Sequence, residues 1–196
     1  MMKILGVDIG LAGGISDGVN HLQMPTIKVE LKAARYIQDL DSKGKKQYIK
    51  SGPNKGQLKM KLKTPAKYET KLDLHTIYKL FTDADIIVFE SQGTSFGNSA
   101  KSTRTTSVNY GKLLAIAELS NSTIVIVPPH VWKKALGLSK DKLESIALAE
   151  KLSNAVFRTK RGALLDGPAE AYLIQHWYTI TKDKHGRTKN SSNSTS

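Results

Sequence analysis

Two carboxylates in this sequence come directly after apolar runs. Asp8 follows residues 4–7 (ILGV), and Glu90 follows residues 86–89 (IIVF). Short apolar runs of this kind are typical of buried strands. Open α/β sheets place their chemistry at the carboxyl ends of their strands. We therefore expect Asp8 and Glu90 to lie at one edge of a sheet and to form part of a reactive site.

A second pair of acids begins a helical pattern near the end of the chain. Asp166 and Glu170 are four residues apart, so they share one helix face. Together with the first pair, they would supply only oxygen ligands, in a chain that contains no cysteine. Such ligands suit hard cations, so we expect Mg²⁺, with Mn²⁺ as a substitute, rather than zinc.

Length and charge narrow the class of protein. A chain of 196 residues is long enough for one domain with a real core. Its net charge of +13 indicates a polyanionic partner, and nucleic acid is favoured over a membrane because no basic amphipathic anchor is visible. The absence of cysteine fits a reducing cytoplasm, that of the host if the protein is viral. An acidic site in a basic protein favours a metal-dependent nuclease.

The positive charge is concentrated in one stretch. Residues 28–71 contain thirteen Lys or Arg and four Asp or Glu, a net charge of +9. Residues 57–63 alternate apolar and basic side chains, which predicts a strand with one lysine-covered face. We expect a basic insertion of about 28–71 that binds DNA, with Lys45, Lys46, Lys59 and Lys61 among its contacts. Residues 183–196 are polar and serine-rich and predict a disordered tail, so the nuclease domain spans 1–182.

Hydrophobic periodicity predicts an α/β domain. The predicted strands are 2–8, 13–18, 19–24, 85–90 and 123–127, with an Asp17–Gly18 turn between the second and third. The predicted helices are 72–82, about 105–119, 130–136, 140–152 and 168–180. Three consecutive strands would therefore precede an alternation of helices and strands.

That order, with its motifs, resembles the ribonuclease H-like superfamily and within it the RuvC-type Holliday junction resolvases, especially those of bacteriophages. The motifs are GVDIG at 6–10, IVFESQ at 87–92, PPHVWKK at 128–134, KDK at 140–142 and DGPAEA at 166–171. The resemblance covers residue 4 to about 176, except the basic insertion. It implies a mixed five-stranded sheet flanked by helices, with the insertion after the third strand.

The resemblance also implies an activity, that of a crossover junction endodeoxyribonuclease. Asp8, Glu90, Asp166 and Glu170 would hold two metal ions, and hydrolysis would leave a 5′-phosphate and a 3′-hydroxyl. Paired cuts in a four-way junction require two active sites and therefore a homodimer, with the helix at about 105–119 as its interface. The terminal acids depart from bacterial RuvC proteins, which more typically carry two aspartates three residues apart.

Further residues have implied or proposed roles in DNA contact. Lys142 and one of Lys133 and Lys134 would contact phosphate or stabilise the transition state. Phe96 would wedge into the junction. Lys101 and Arg104 accompany several hydroxyl residues at a helix start. This arrangement is equally compatible with a phosphate-binding site and with an ordinary capped loop.

Several alternatives remain open at this point. Asp8 beside Gly10 is compatible with a turn aspartate or with the phosphate loop of actin-like ATPases, although 196 residues are too few for the two lobes of such enzymes. A different ribonuclease H-like nuclease, acting on RNA or an RNA–DNA hybrid, would share the four acids. The third alternative is a catalytically silent nucleic-acid-binding module.

Overall fold

The computed structural model describes residues 2–92 and 100–190, without the side chains of residues 101 and 183–190. The chain divides into two compact units. The first comprises Met1–Thr26 and Leu72–Ser196, and the second is Ile27–Lys71. The stretch that carries nine excess positive charges in the sequence thus coincides with the second unit to within one residue.

A mixed five-stranded sheet organises the first unit. Its strands are β1 (Ile4–Asp8), β2 (Gly14–Ser16), β3 (His21–Gln23), β8 (Ile86–Glu90) and β9 (Thr123–Val127). They lie in the order β3-β2-β1-β8-β9, with β1, β2 and β3 antiparallel and β1, β8 and β9 parallel. The predicted fold class, a mixed five-stranded sheet flanked by helices, is confirmed.

Among the described residues, five helices pack on this sheet or extend from it. They are α1 (Leu74–Thr82), α2 (Ala100–Leu119), α3 (Pro129–Ala135), α4 (Lys142–Ser153) and α5 (Asp166–Asn190). Because side chains alternate along a strand, Leu5 and Val7 of β1 pack with residues of α1 and α2, while Ile4 packs with residues of α3, α4 and α5. None of the described helices is long and apolar enough to cross a lipid bilayer.

The largest differences from the predicted boundaries are at the start of α2, at the end of α5 and at the β2–β3 turn. Helix α2 begins at Ala100 rather than near residue 105, and α5 continues to Asn190 rather than ending at 180. Both helices are anchored by strongly buried residues, and adding a residue to an existing helix costs far less than starting one. The β2–β3 turn spans Asp17 to Asn20, whose backbone groups are hydrogen-bonded. The predicted tail therefore overlaps α5 as far as residue 190, and residues 191–196 lie outside the described residues.

The strands of the inserted stretch form two two-stranded ribbons. Strand β4 (Thr26–Lys32) pairs with β7 (Lys67–Leu72), and β5 (Arg35–Gln38) pairs with β6 (Met60–Thr64). The strand predicted at 57–63 corresponds to β6. All five residues of β6 are exposed, so this strand is not part of a hydrophobic core.

Candidate active site

Asp8 and Glu90 project from the same face of the sheet. Strands β1 and β8 are parallel neighbours in which Val7 pairs with Phe89, and each acid is the next residue along its strand. Val7 and Phe89 lie in the core beneath α1 and α2, so the acids point to the opposite face. That face is covered by α5, which begins with the second acidic pair.

Glycines allow α5 to approach the sheet closely. A Cβ atom on Gly6 of β1 would lie 2.1 Å from the carbonyl oxygen of Ala171 in α5. A Cβ atom on Gly14 would lie 2.5 Å from the nitrogen of Pro168, and Gly13 and Gly167 form an isolated parallel bridge. The first turn of α5 consequently lies against the β1–β2 turn. This contact brings the Asp166–Glu170 face of the helix towards Asp8.

The pKa of Asp8 reflects its burial and the proximity of the other three acids. Burial raises the pKa of Asp8 well above its ordinary value. The negative charges of three other carboxylates raise the pKa further, namely those of Glu170, Glu90 and Asp166. The ammonium group of Lys142 acts in the opposite direction. The other three acids selected from the sequence therefore all act on Asp8, although the four come from three distant segments of the chain.

Two lysines bind the α5 acids directly. The Nζ of Lys133 donates to Oε1 of Glu170 over 2.7 Å, and both side chains are largely buried. The Nζ of Lys142 donates to Oδ2 of Asp166. Burial works to raise the pKa of Asp166, but the hydrogen bond and charge of Lys142 outweigh it and the pKa is lowered. The same hydrogen bond raises the pKa of Lys142.

Glu90 has a partner that the sequence reasoning did not assign. The indole Nε1 of the fully buried Trp132 donates to Oε2 of Glu90 over 2.9 Å. Burial raises the pKa of Glu90, and the Trp132 hydrogen bond opposes that rise. Lys133 lies over the Trp132 ring, 5.0 Å from its centroid. Trp132 lies inside the PPHVWKK motif. Because a buried tryptophan needs a hydrogen-bond acceptor, its presence there could have indicated an acidic partner.

Ser145 is a second residue that sequence reasoning missed. It is a fully buried polar residue of α4, and its Oγ lies 3.5 Å from Oε1 of Glu170. Glu170 thus faces Lys133 on one helix and Ser145 on another. No sequence pattern distinguishes this serine from others in the chain.

The remaining sequence candidates occupy several places. Lys134 is exposed on α3 and Arg104 is exposed on α2. The backbone of Lys101 lies in α2, whereas its side chain, like the whole of Phe96, is outside the described residues. Lys45, Lys46, Lys59 and Lys61 are exposed residues of the second unit, where Lys59 forms a 3.0 Å ion pair with Asp39.

The four carboxylates of the first unit are ligands of the type that a hard divalent cation prefers. Four carboxylates face two ammonium groups, a formal excess of two negative charges. Across residues 2–92 and 100–190, no three acidic or histidine side chains are grouped at metal-binding distance. Glu170 and Asp166 each turn one oxygen towards an ammonium group.

Comparison with solved structures finds RuvC from Thermus thermophilus, with 14% identity, a TM-score of 0.46 and coverage of 92% of this chain and 97% of that chain. A structure of T. thermophilus RuvC in complex with Holliday junction substrate is similar at 13% identity and a TM-score of 0.46, covering 92% of this chain and 96% of that chain. No family model and no curated protein matches the sequence.

Proposed function

We propose that this protein is a metal-dependent endonuclease that cuts Holliday junctions and other branched DNA. The observation that carries the proposal is the convergence of Glu90, Asp166 and Glu170 on Asp8, with two lysines beside them. An acidic centre in a chain of net charge +13 suits phosphodiester chemistry on a polyanion. The choice of a four-way junction rests on the sequence motifs that resemble RuvC-type resolvases.

Asp8, Glu90, Asp166 and Glu170 are the residues that would hold the metal ions. When bound, a pair of Mg²⁺ or Mn²⁺ ions supplies a water of lowered pKa and stabilises charge on the departing 3′ oxygen. Burial and then the three neighbouring carboxylates raise the pKa of Asp8, and a bound cation would offset both effects. The products would be a 5′-phosphate and a 3′-hydroxyl.

The chain's own cations and donors have separate tasks in this mechanism. Lys142 is 69% exposed, so its ammonium group can leave Asp166 and bind a phosphate oxygen of the substrate. Lys133 is held beside Glu170 in a buried ion pair and contributes a fixed positive charge. Trp132 holds the Glu90 carboxylate in one orientation. The Trp132 contact limits the reorganisation of Glu90 when substrate binds, whereas Asp166 and Glu170 must turn from their lysines to hold a metal ion.

A homodimer built through α2 would supply the two active sites that paired cleavage needs. Ser107, Val108, Gly111 and Ala115 are exposed and recur at helical spacing along α2. Val108 is 48% exposed, and an added Cβ at Gly111 would meet nothing within 4 Å. A second copy packed on this face would bury Val108 and explain a glycine within a helix, which otherwise costs about 1 kcal/mol.

The domain organisation forms part of the proposal. Residues 1–182 would constitute one nuclease domain interrupted by a basic insertion of about 28–71. The insertion contributes net positive charge and none of the four site carboxylates, so it would strengthen DNA binding without taking part in cleavage.

Cleavage of synthetic substrates tests the proposed function. We expect paired nicks in a four-way junction with Mg²⁺ or Mn²⁺ and none with EDTA. Duplex, single-stranded DNA and an RNA–DNA hybrid should be cut slowly or not at all. Preferred cleavage of the hybrid would establish a different ribonuclease H-like activity. Binding without cleavage by any divalent ion would indicate a silent binding module.

A further inference from the structure

One face of the β5–β6 ribbon carries exposed apolar side chains. Directly opposed residues of an antiparallel pair lie on the same face, and Tyr36 opposes Leu62 while Gln38 opposes Met60. Since residues two apart on a strand also share a face, Tyr36, Leu62 and Met60 form one strip. They are 59%, 53% and 50% exposed. We call these three residues the apolar strip.

The other face of the ribbon is different. Ile37 opposes Lys61 there, and the neighbouring Lys59 pairs with Asp39. Lys59 is 53% exposed, so its ammonium group can exchange Asp39 for a phosphate. The ribbon therefore has an apolar face with an aromatic ring and a face bearing lysines.

The charge of the second unit restricts what could cover the apolar strip. Residues 27–71 hold thirteen basic and four acidic side chains, a net charge of +9. Packing two copies of this unit face to face would bring like charges together, which opposes self-association. A polyanion is attracted instead, and a nucleic acid combines negative charge with flat apolar surfaces, its base faces.

Base faces are accessible only where DNA is open. In a continuous duplex they are stacked on one another, whereas single strands and the centres of branched DNA expose them. Aromatic side chains stack on such bases without regard to sequence, and apolar side chains can insert at a disrupted step. Tyr36 has this character, with the exposed Leu62 opposite it and Met60 on the same face.

We propose that the β5–β6 ribbon binds unstacked DNA bases through the apolar strip of Tyr36, Met60 and Leu62, while the lysines of the second unit bind the phosphate backbone. This inference rests on the proposed DNA substrate but not on its cleavage. It assigns the insertion a preference for open DNA in addition to its positive charge. The apolar strip provides the preference, and the lysines provide affinity that does not depend on structure.

Binding by the full-length protein tests this inference. Fluorescence anisotropy in EDTA would measure affinity for a single strand, a four-way junction and a duplex. The double variant Tyr36→Ser/Leu62→Ser should bind the single strand about tenfold more weakly, the loss expected from one stacked base. Duplex affinity and the slope of log K against log salt should stay the same. Ile37→Ser, on the opposite face of the same strand, is the matched control and should alter none of these values.

The DNA offers a matched change of its own. A strand with abasic sites keeps its phosphates and loses its base faces, so wild-type protein should bind it about tenfold more weakly than the normal strand. The double variant should not distinguish the two strands. Tyr36→Phe should retain the wild-type preference for the normal strand over the abasic strand, and Tyr36→Leu should reduce it. These single variants keep the test valid if the double variant fails to fold.

Three results would overturn the inference. Equal weakening of single-strand and duplex binding would mean that the apolar strip merely supports the fold of the ribbon. An unchanged single-strand affinity would mean that it does not touch DNA. A change in oligomeric state, measured by light scattering, would identify the strip as a contact between proteins. Cleavage measured separately with Mg²⁺ distinguishes these outcomes from failure of the proposed nuclease function.

Discussion

At the residue scale, the candidate site concentrates charge that works against folding. Asp8 lies where burial and three other carboxylates all disfavour its ionised form. Such a position is costly unless the charge has a use. Lys133 and Lys142 neutralise the two α5 acids, whereas Asp8 has no ion-pair partner within 4.0 Å among the described side chains. A substitution at Asp8 should therefore raise the stability of the protein while removing its activity.

Replacing Asp8 with Asn should abolish cleavage, retain junction binding and raise thermal stability by roughly 2–6 °C at pH 7 in EDTA. The pKa of Asp8 is raised in the folded state, so its ionised form costs stability above that pKa. The cost disappears as the pH falls towards the unfolded value of about 3.9. The gap between variant and wild type should therefore close at low pH.

Thermal unfolding with and without Mg²⁺ checks this prediction. Mg²⁺ should raise the unfolding temperature of the wild type and have a smaller effect on Asp8→Asn, because a ligand that binds only the folded state stabilises it. A variant that is less stable than the wild type would indicate that Asp8 is a structural turn residue.

Trp132→Phe should lower the cleavage rate about tenfold while leaving junction affinity unchanged. The substitution keeps an aromatic ring in the core and removes the donor to Glu90, and one lost hydrogen bond to a charged group has about this effect. Rate against Mg²⁺ concentration is the measurement, and a higher Mg²⁺ requirement is expected. Trp177→Phe, a change in the same core cluster without the Glu90 contact, is the control. Equal effects of both substitutions would show that general packing is responsible.

At the scale of elements, the site depends on how closely α5 lies on β1. The glycine at position 6 makes that approach possible, since any side chain there would collide with the helix backbone. The acids of β1 and β8 are fixed by strand pairing, whereas those of α5 are positioned only by this packing. Small displacements of α5 should therefore affect catalysis before they affect the sheet.

Gly6→Ala should destabilise the protein by about 1–3 kcal/mol or more and reduce cleavage further than the loss of folded protein explains. Its methyl group would lie 2.1 Å from the Ala171 carbonyl oxygen, so α5 must shift. Urea unfolding and cleavage under folded conditions are the measurements. Gly111→Ala adds the same methyl group where no atom lies within 4 Å, and it should not destabilise the folded chain. Normal activity in stable Gly6→Ala protein would contradict the proposed role of α5.

At the scale of the whole molecule, we propose two surfaces that bind partners. The exposed face of α2 would join two copies, and the basic insertion would bind the DNA backbone. Disrupting the α2 face should change the oligomeric state, whereas disrupting the basic insertion should change the salt dependence of DNA binding. The two roles can therefore be tested independently.

Gly111→Arg should produce a monomer that no longer makes paired cuts. The long charged side chain would prevent close packing of two α2 helices while projecting from a face that is open in the single chain. Light scattering gives the mass, and a plasmid-borne junction distinguishes single nicks from paired cuts. Lys112→Arg, a neighbouring residue on another helix face, should remain dimeric. A monomeric wild type would contradict the proposed dimer.

Replacing Lys45, Lys46, Lys59 and Lys61 with Gln should weaken binding to all forms of DNA. Each lysine that contacts phosphate should reduce the salt slope by about one, because fewer counterions are released. Single-turnover cleavage at saturating protein should change little. An unaltered slope would mean that these lysines do not touch phosphate, and a collapse of the saturated rate in folded protein would mean that the insertion helps to build the active site.

Local patterns in the sequence were sufficient to predict much of this protein. The apolar runs before Asp8 and Glu90 predicted β1 and β8, and the i, i+4 spacing predicted that Asp166 and Glu170 share a helix face. The concentration of lysine at residues 28–71 predicted a basic insertion, and this stretch matches the second compact unit to within one residue. These features depend on residues close together in the chain, and strand alternation and helix periodicity can be seen directly in the sequence at that range.

Other features depended on contacts between distant segments. Trp132 and Glu90 are 42 positions apart, and Lys133 and Glu170 are 37 apart, so no local pattern pairs them. The start of α2 was set by the cooperativity of helix growth from a buried segment, which outweighs the weak preferences of its hydroxyl residues. The sequence alone determined which residues could do chemistry. Only the tertiary structure decided which lysine neutralises which acid and which face of β5–β6 is apolar, because those outcomes depend on packing and strand register between remote parts of the chain.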